Sequence, residues 1–590
     1  MHRISTLTVH NFKAIRYGTF HFSDYTPLVG YNNAGKSSVL EALTWVIKPS
    51  SIPETSFNNS AEEVSVAVEV TGITDAVLDG LADNHRNKII AFIDGGRLSF
   101  RRTQTAPGQS ASQIRLEIID INEGNDWVAP PTGIPAALSA LFPEVIFVGA
   151  MENAADDVGK STSSSTIRKL IKQIVEPVRE QYSAQILASL TPIADQLSAR
   201  GVNKDQILRD VDETIERYLA EFFPGMSAKT HIPMPEIDDF LKKATIKVSE
   251  NRYGDDLEGD AATMGHGAQR SVQIALINAL AHIRRNDGGV AGRTVLLLLD
   301  EPELYLHPQA IAVVRSALKK LSGNGFQIAF TTHTGEMIGA EDCTKTLIIR
   351  RTPENGCNAL TKMEDAAGAI ADLPNQADTL FELSNSKEFL FSDRVILVEG
   401  RTETTILPHL YQKIRGRSLL EDRVGIIRLN GSGSLKKAYD VLIAMGLDAR
   451  IVADLDYIFK IAFNNGILGV TDERSAEIRS IFQRLADDGQ LELSNDGLPK
   501  NSNLCTASEG FELLAADAEA IPIIATLVED LKQQHIWIWT KGAIEAHIGI
   551  EKNFTAQRQF VESLAAGNAL DGIPDLGAVH AAMNFVFAET

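Results

Sequence analysis

The sequence predicts an α/β protein built on parallel sheets covered on both faces. One observation is the all-apolar run VLLLL at 295–299, with no polar alternation to face water. Another is the alternation of such runs with amphipathic helical stretches, from about 240 to 350 and again from about 392 to the end. The third is length: 590 residues accommodate about four units of ~150 residues.

Residues 1–155 read as strands with one early helix. ISTLTVHNFK, TFHFSD, VSVAVEV, KIIAFID, LSFRRT and IRLEIID carry strand patterning, and SSVLEALTWVI, from Ser37, is the helix. Residues 156–235 read as a helical insert. Ile167, Leu170, Ile171, Ile174, Val175 and Val178 share one helical face, with Ser163 to Ser165 as N-cap candidates. Thr191-Pro192 has the form of a new helix start, and Ile207, Leu208, Val211, Ile215, Leu219 and Phe222 form another amphipathic helix, stopped by Pro224-Gly225. Such an insert packs on its own chain or serves as a dimerisation arm; the second reading is favoured. Residues 236–385 return to α/β: TIKVSE, a helix from about Ala268 to Arg285, TVLLLLD, a helix after Pro308 and QIAFTTH, then a linker with helical content over 360–390. Residues 386–590 form a last α/β unit with VILVE, GIIRL, RIVADLD and HIWIWT as strands.

A net charge of −21 argues against a globally basic nucleic-acid coat. It leaves room for local basic patches, for which Arg168/Lys169/Lys172, Lys413/Arg415/Arg417 and Lys436/Lys437 are candidates. No apolar run approaches ~18 residues, so no membrane span is expected. There is no signal-peptide pattern, and Cys343, Cys357 and Cys505 lack metal-ligand spacing. A reducing cytoplasm suits them.

GYNNAGKS at 30–37 fits the phosphate-binding loop G-x-x-x-x-G-K-[ST], after the strand-like TPLV and at the start of a helix. Backbone N–H groups of such a loop face phosphates, so Gly30, Asn32, Asn33, Gly35 and the adjoining Ser38 are expected around bound ATP. Lys36 would reach the β and γ phosphates and Ser37 would hold Mg²⁺. In TVLLLLDEPELYLHP, Asp300 ends a strand and would order Mg²⁺ through water, while Glu301 would polarise the attacking water.

Two further apolar strands end on acids. VILVE closes on Glu399 with Glu403 one turn later, and RIVADLD closes on Asp454 and Asp456, spaced to point to one side. Paired carboxylates at adjacent strand ends suit Mg²⁺ or Mn²⁺. Two such ions would activate water and stabilise the leaving oxygen of a phosphodiester.

NFK, GYNNAGKSSVLEAL, GHGAQR, DEPELYLHP and TTH together resemble the ABC-type ATPase head of the SMC/RecF-like group. That resemblance implies a signature motif over Met264 to Arg270. Gly265, Gly267 and Gln269 would contact ATP held by a partner head, Thr263 stands where serine is usual, and His333 would sense the γ-phosphate. A signature that completes another subunit's site implies a homodimer or higher homo-oligomer. The absence of a long heptad arm excludes a full SMC architecture. VEG-x-x-E, LNGSGS and DLD resemble the Rossmann-like Toprim domain of topoisomerases, primases and OLD-family nucleases. An ABC-type head with a helical insert followed by a Toprim domain is the layout of the OLD family, which includes the nuclease of the Gabija phage-defence system. By that resemblance IWIWTKGAIEAHIG contributes Lys541, stabilising transition-state charge, and Glu545, completing the second metal shell. Glu509 and Glu512 in TASEGFE are the rival source of the last ligand, and Ca²⁺ is a candidate for a second site.

The reading that follows is an ATP-regulated, metal-dependent DNA endonuclease in phage defence or DNA repair. A helicase-like partner encoded nearby would go with a Gabija-like system, a lone gene with a stand-alone OLD nuclease. The alternative is a recombination or repair ATPase whose Toprim domain only binds DNA or a partner. A topoisomerase would need a tyrosine nucleophile on a separate domain, for which no chain is left.

Overall fold

The computed structural model describes residues 2–121, 124, 126–142, 144–150, 166–223, 226–233, 246–250, 257–260, 264–286, 294–323, 325–370, 376–469, 472–566 and 570–587. The expected caps at Ser163 to Ser165, the stop at Pro224-Gly225 and Thr263 lie outside them. The chain forms two compact units. The first comprises Met1–Phe12, His21–Tyr25 and Ser37–Thr332; the second comprises Lys13–Phe20, Thr26–Lys36 and His333–Thr590.

In the first unit, Arg3–Phe12, Val64–Thr71, Leu98–Gln104, Arg115–Asp120 and Asp126–Val128 pair antiparallel in that order. Val64–Thr71 buries every second residue, as a strand with one covered face should. Glu144–Val148, Val295–Leu299 and Phe326–Thr332 run parallel, with Val295–Leu299 in the middle and wholly buried. The helix after it starts at Pro308, where proline's missing N–H costs nothing, with His307 as its N-cap.

KIIAFID is not a strand. Asp83–Ile89 is helical and Ile90–Phe92 adds a 3₁₀ turn. Ile89 and Phe92 are buried while Ile90 is 46% exposed, a spacing of three that suits a helix and defeats alternation.

Helix Thr166–Leu197 runs uninterrupted through Thr191-Pro192. Thr191 does not cap a new helix; its hydroxyl donates to the Leu187 carbonyl one turn back. Helix Gln206–Phe222 is capped by Asp205; Leu208 and Leu219 are half-buried, and Asp212 is buried with Lys204 and accepts from Thr230. Its apolar side faces out, with Ile207 73%, Val211 40%, Ile215 40% and Tyr218 60% exposed. The signature helix spans His266–Asn286.

In the second unit, Leu28, Val29 and Gly30 of the strand Tyr25–Gly30 run parallel to Leu347–Thr352, which pairs antiparallel with Gly356–Ala359. The stretch expected to be a linker is packed. Met363–Ala369 and Gln376–Ser386 are helices whose Met363, Ala366, Ala367 and Leu383 are buried in a core with Val395 and Leu397. Four parallel strands follow in the order Val424–Arg428, Arg394–Val398, Asp448–Asp454, Ile536–Trp539. Alternate residues serve opposite faces. Val395, Leu397, Ile451 and Ile538 pack in one core, and Ile396, Val398, Val452 and Trp539 in another. Both faces being covered explains why these strands read as unbroken apolar runs.

Candidate functional site

Because the four strands are parallel, their C-terminal ends lie on one edge, where ligands of open α/β sheets bind. Arg394–Val398 delivers Glu399, Asp448–Asp454 ends on Asp454, and the segment after Ile536–Trp539 leads to Glu545. Helix Arg401–Arg415 begins right after Glu399 and carries Glu403 in its first turn, 4% exposed. The Glu403 carboxylate folds back over Gly400, where a Cβ would lie 2.2 Å from its Oε2, so a side chain at 400 would displace the carboxylate from this position. The Ser432 N–H, from the LNGSGS turn, donates to Glu399.

The acids repel one another. Burial, then the charges of Asp454 and Glu545, push Glu403 up to about 8. Burial raises Asp454 to about 7, with Asp456 and Glu545 adding to the effect and Lys552 opposing it. Burial and the charge of Asp456 raise Glu399 as well. Among the described residues, Glu403 Oε2 and Asp454 Oδ1 are buried without a hydrogen-bond partner. Two unsatisfied, mutually repelling carboxylate oxygens are what a hard divalent cation relieves, so these residues fit the implied metal. Among the described residues no group of three or more acids, histidines or cysteines is placed to hold a metal ion as the side chains stand.

Asp456 is not on the strand, which ends at Asp454. The chain turns at Leu455, whose N–H leaves the ladder to bond the Gly542 carbonyl, and Asp456 opens the helical segment that follows, pairing with Lys460 one turn on at 2.8 Å. Glu545 is buried and accepts from Thr402 Oγ1 at 2.6 Å, and Thr402 in turn accepts from Gln557. Lys541 does not face the acids in this structure: its Nζ pairs with Asp575 at 2.9 Å. Beside Lys460 on Asp456, the cation that meets the buried acids is Lys552, 3.2 Å from Asp454. Burial works against its charge, but Asp454, Glu545 and Glu403 outweigh it and hold the ammonium above its ordinary range. Sequence reasoning missed Lys552, which belongs to no motif. Of the two rival acids, Glu509 closes a capping box with Thr506, and its two backbone and side-chain bonds hold it low. Glu512 is exposed, and what burial it has, with the charge of Glu509, raises it, while Lys552 opposes and Glu545 adds.

The phosphate loop divides between the units after Lys36. In the second unit, Gly30 and Gly35 take positive φ (154° and 101°), as does Asn33 (63°), and Asn32 and Asn33 are exposed; Ser38, in the first unit, is half-buried. Lys36 Nζ donates to the carbonyls of Gly30 (3.0 Å) and Tyr31 (2.9 Å) and lies 3.0 Å from His333 Nε2. The Tyr31 ring is faced by the guanidiniums of Arg350 (4.4 Å) and Arg423 (4.1 Å).

In the first unit, Asp300 accepts from Ser37 Oγ (2.9 Å) and Thr331 Oγ1 (2.5 Å). Glu301 sits at φ 47° with its N–H on Thr331, and buried Arg270 binds the Asp300 and Glu301 carbonyls. Gln269 is buried and donates to the Met264 carbonyl, so in this state it faces its own helix start. Among the described residues a Cβ at Gly265 would meet nothing within 4 Å, whereas one at Gly267 would lie 2.8 Å from the carbonyl oxygen of Tyr305, the residue whose ring stacks on His266.

Comparison with known proteins matches residues 390–456 to the family described as "Overcoming lysogenization defect protein-like, TOPRIM domain". Residues 3–105 and 135–338 match the "AAA ATPase domain" family. The Old nuclease of Escherichia phage P2 is 32% identical over 565 residues, covering 95% of this chain and 95% of that protein. The OLD nuclease of Thermus scotoductus is 21% identical over 467 residues, covering 77% and 82%. Among solved structures, an Smc head bound to the C-winged helix domain of ScpA aligns with 62% of this chain and 99% of its own at 17% identity and TM-score 0.36. The SMC head domain of Thermotoga maritima aligns with 61% and 98% at 16% identity and TM-score 0.27.

Proposed function

The chain belongs to the OLD nuclease family, and from that premise we propose that it is an ATP-binding, divalent-metal-dependent DNA endonuclease acting in phage defence or DNA repair. The observation that supports this most is the buried Glu403–Asp454 pair, with two unsatisfied oxygens and Lys552 beside it. Glu399, Glu403, Asp454, Asp456 and Glu545 would hold Mg²⁺ or Mn²⁺, which would supply an activated water and neutralise charge on the leaving oxygen. The chain itself orients the acids through the Ser432 and Thr402 bonds. Lys552 offers an ammonium to the phosphate oxygens, whose charge grows as water adds and the P–O bond breaks. Lys36 and His333 would meet ATP phosphates, and Ser37 with Asp300 would hold the nucleotide's Mg²⁺.

Plasmid nicking with Mg²⁺, Mn²⁺ or Ca²⁺, each with and without ATP, tests the reading. Metal-dependent nicking that is lost in Asp456→Ala supports it. No nicking by the wild-type protein would favour an ATPase whose Toprim domain only binds DNA or a partner. Lys552→Ala should reduce nicking by ~100-fold, more than Lys541→Ala does, because Lys541 is taken up by Asp575. Equal losses would remove that assignment.

The outward Ile207, Val211, Ile215 and Tyr218 lie at spacings of four, four and three, one continuous stripe, and are proposed to pair two copies. Burying one such side chain contributes ~1.5–3 kcal/mol. Ile207→Glu with Ile215→Glu should therefore weaken self-association by at least ~100-fold, read by sedimentation. An unchanged oligomer would place the interface elsewhere.

A further inference from the structure

We infer that His547 and Asp575 are positioning residues that set the spacing between the two halves of the acid cluster; this rests on the metal-nuclease reading above. His547 is 1% exposed, and both ring nitrogens are engaged. Nδ1 lies 2.8 Å from Asp575 Oδ2, and Nε2 accepts the Lys541 backbone N–H at 3.1 Å. Those contacts assign the neutral tautomer with the proton on Nδ1, donated to the carboxylate. Asp575 is fixed in turn: its own N–H donates to the His547 carbonyl, and its Oδ1 accepts from the Ala578 N–H at the start of helix Leu576–Phe587.

What this pair holds is the segment between the last strand and Glu545. The Lys541 N–H is its anchor, and the next residue, Gly542, accepts the Leu455 N–H at 2.8 Å. Leu455 stands between Asp454 and Asp456. A continuous path therefore runs from Asp575 through His547 and residues 541 and 542 to Leu455, the turn residue between the two aspartates. His547 also sits two residues after Glu545 on the short helix Ile544–Ile548, so the same ring ties the glutamate's helix to that path. Gly542 is at φ 105°, and a Cβ there would lie 2.7 Å from Glu512 Cγ, so a side chain at this position would be strained and crowded. Trp539 packs against the imidazole at 5.2 Å and closes the ring in.

None of these groups touches a reacting atom. Their effect is on how closely Asp454, Asp456 and Glu545 approach one cation, and the acceptor on Nε2 is the contact that matters. Two polar isosteres separate the ring's roles. His547→Gln places an amide oxygen where Nε2 accepts, and His547→Asn places an amide where Nδ1 donates but does not reach the Lys541 N–H. Mn²⁺ binding to the full-length proteins, measured calorimetrically without DNA or nucleotide, should weaken ~10–100-fold in His547→Asn. His547→Gln should stay within ~3-fold of wild type, and nicking should recover at high Mn²⁺ in His547→Asn, giving a changed metal half-saturation with little change in limiting rate. Wild-type affinity in His547→Asn, or equal weakening in both variants, overturns the inference. A wild-type protein that binds no Mn²⁺ removes the metal-site reading itself, and this one with it.

Discussion

Asp454→Asn is expected to lower DNA nicking by ~10³-fold or more while ATP hydrolysis stays at the wild-type rate. The substitution keeps the side chain's shape and removes only charge. Metal affinity falls because a neutral amide is a poor ligand for Mg²⁺ in a site whose remaining acids are already hard to ionise. The same change should stabilise the metal-free protein. Glu403 and Asp454 are raised to about 8 and about 7, so in the folded state they hold protons that the unfolded chain has released. The stability they contribute is fully present below the ordinary carboxylate range and is lost as pH rises through about 7 to about 8. Metal-free wild-type protein should therefore melt lower at about pH 9 than at about pH 6, and Mg²⁺ should raise the melting temperature most at the alkaline end. Asp454→Asn removes one of the repelling charges, so its melting temperature should change less with pH and respond little to Mg²⁺. Undiminished nicking by this variant would take Asp454 out of the reaction. A pH-independent wild-type melt would mean the acids do not repel as described.

The parts of this site that were legible in sequence are those set by local geometry. An apolar run ending on an acid puts that acid at a strand's C-terminal end, and the parallel order then brings Glu399 and Asp454 to one edge. The residues that were not legible depend on distant chain. Lys552 meets Asp454 across 98 positions, and no spacing rule connects them. Lys541 has the spacing of a surface pair with Glu545, yet its partner is Asp575. Glu509 is a different case. Thr506 and Glu509 read S/T-x-x-E, so the capping box that occupies this acid was available as a local signal. The errors in secondary structure have the same origin. KIIAFID has β-branched content, but the burial of Ile89 and Phe92 alone decides for a helix. Thr191-Pro192 has the form of a helix start, and only the Leu187 carbonyl's use of the Thr191 hydroxyl shows that the helix continues.

Lys36→Ala is expected to cut ATP hydrolysis by ~100-fold or more and to abolish any effect of ATP on nicking, whether that effect is activation or restraint. The Lys36 ammonium is 5% exposed and is held by the Gly30 and Tyr31 carbonyls beside His333. It is thus poised inside the loop, and an arriving triphosphate would exchange carbonyl partners for charged oxygens, a stronger hydrogen bond. Alanine leaves two carbonyls in a site meant for phosphates, so affinity falls through both lost attraction and added repulsion. Because Lys36 lies far in sequence from the acids at 399–456 and touches none of them in the bonds described, nicking without nucleotide should persist at the wild-type rate. The comparison therefore separates two roles for the nucleotide. If Lys36→Ala nicks normally without ATP and ignores added ATP, the ATPase regulates the nuclease. If nicking is lost even without nucleotide, the loop is needed for the nuclease fold itself, and ATP regulation is the wrong description. Nucleotide binding followed by fluorescence, alongside nicking of the same samples, distinguishes these outcomes.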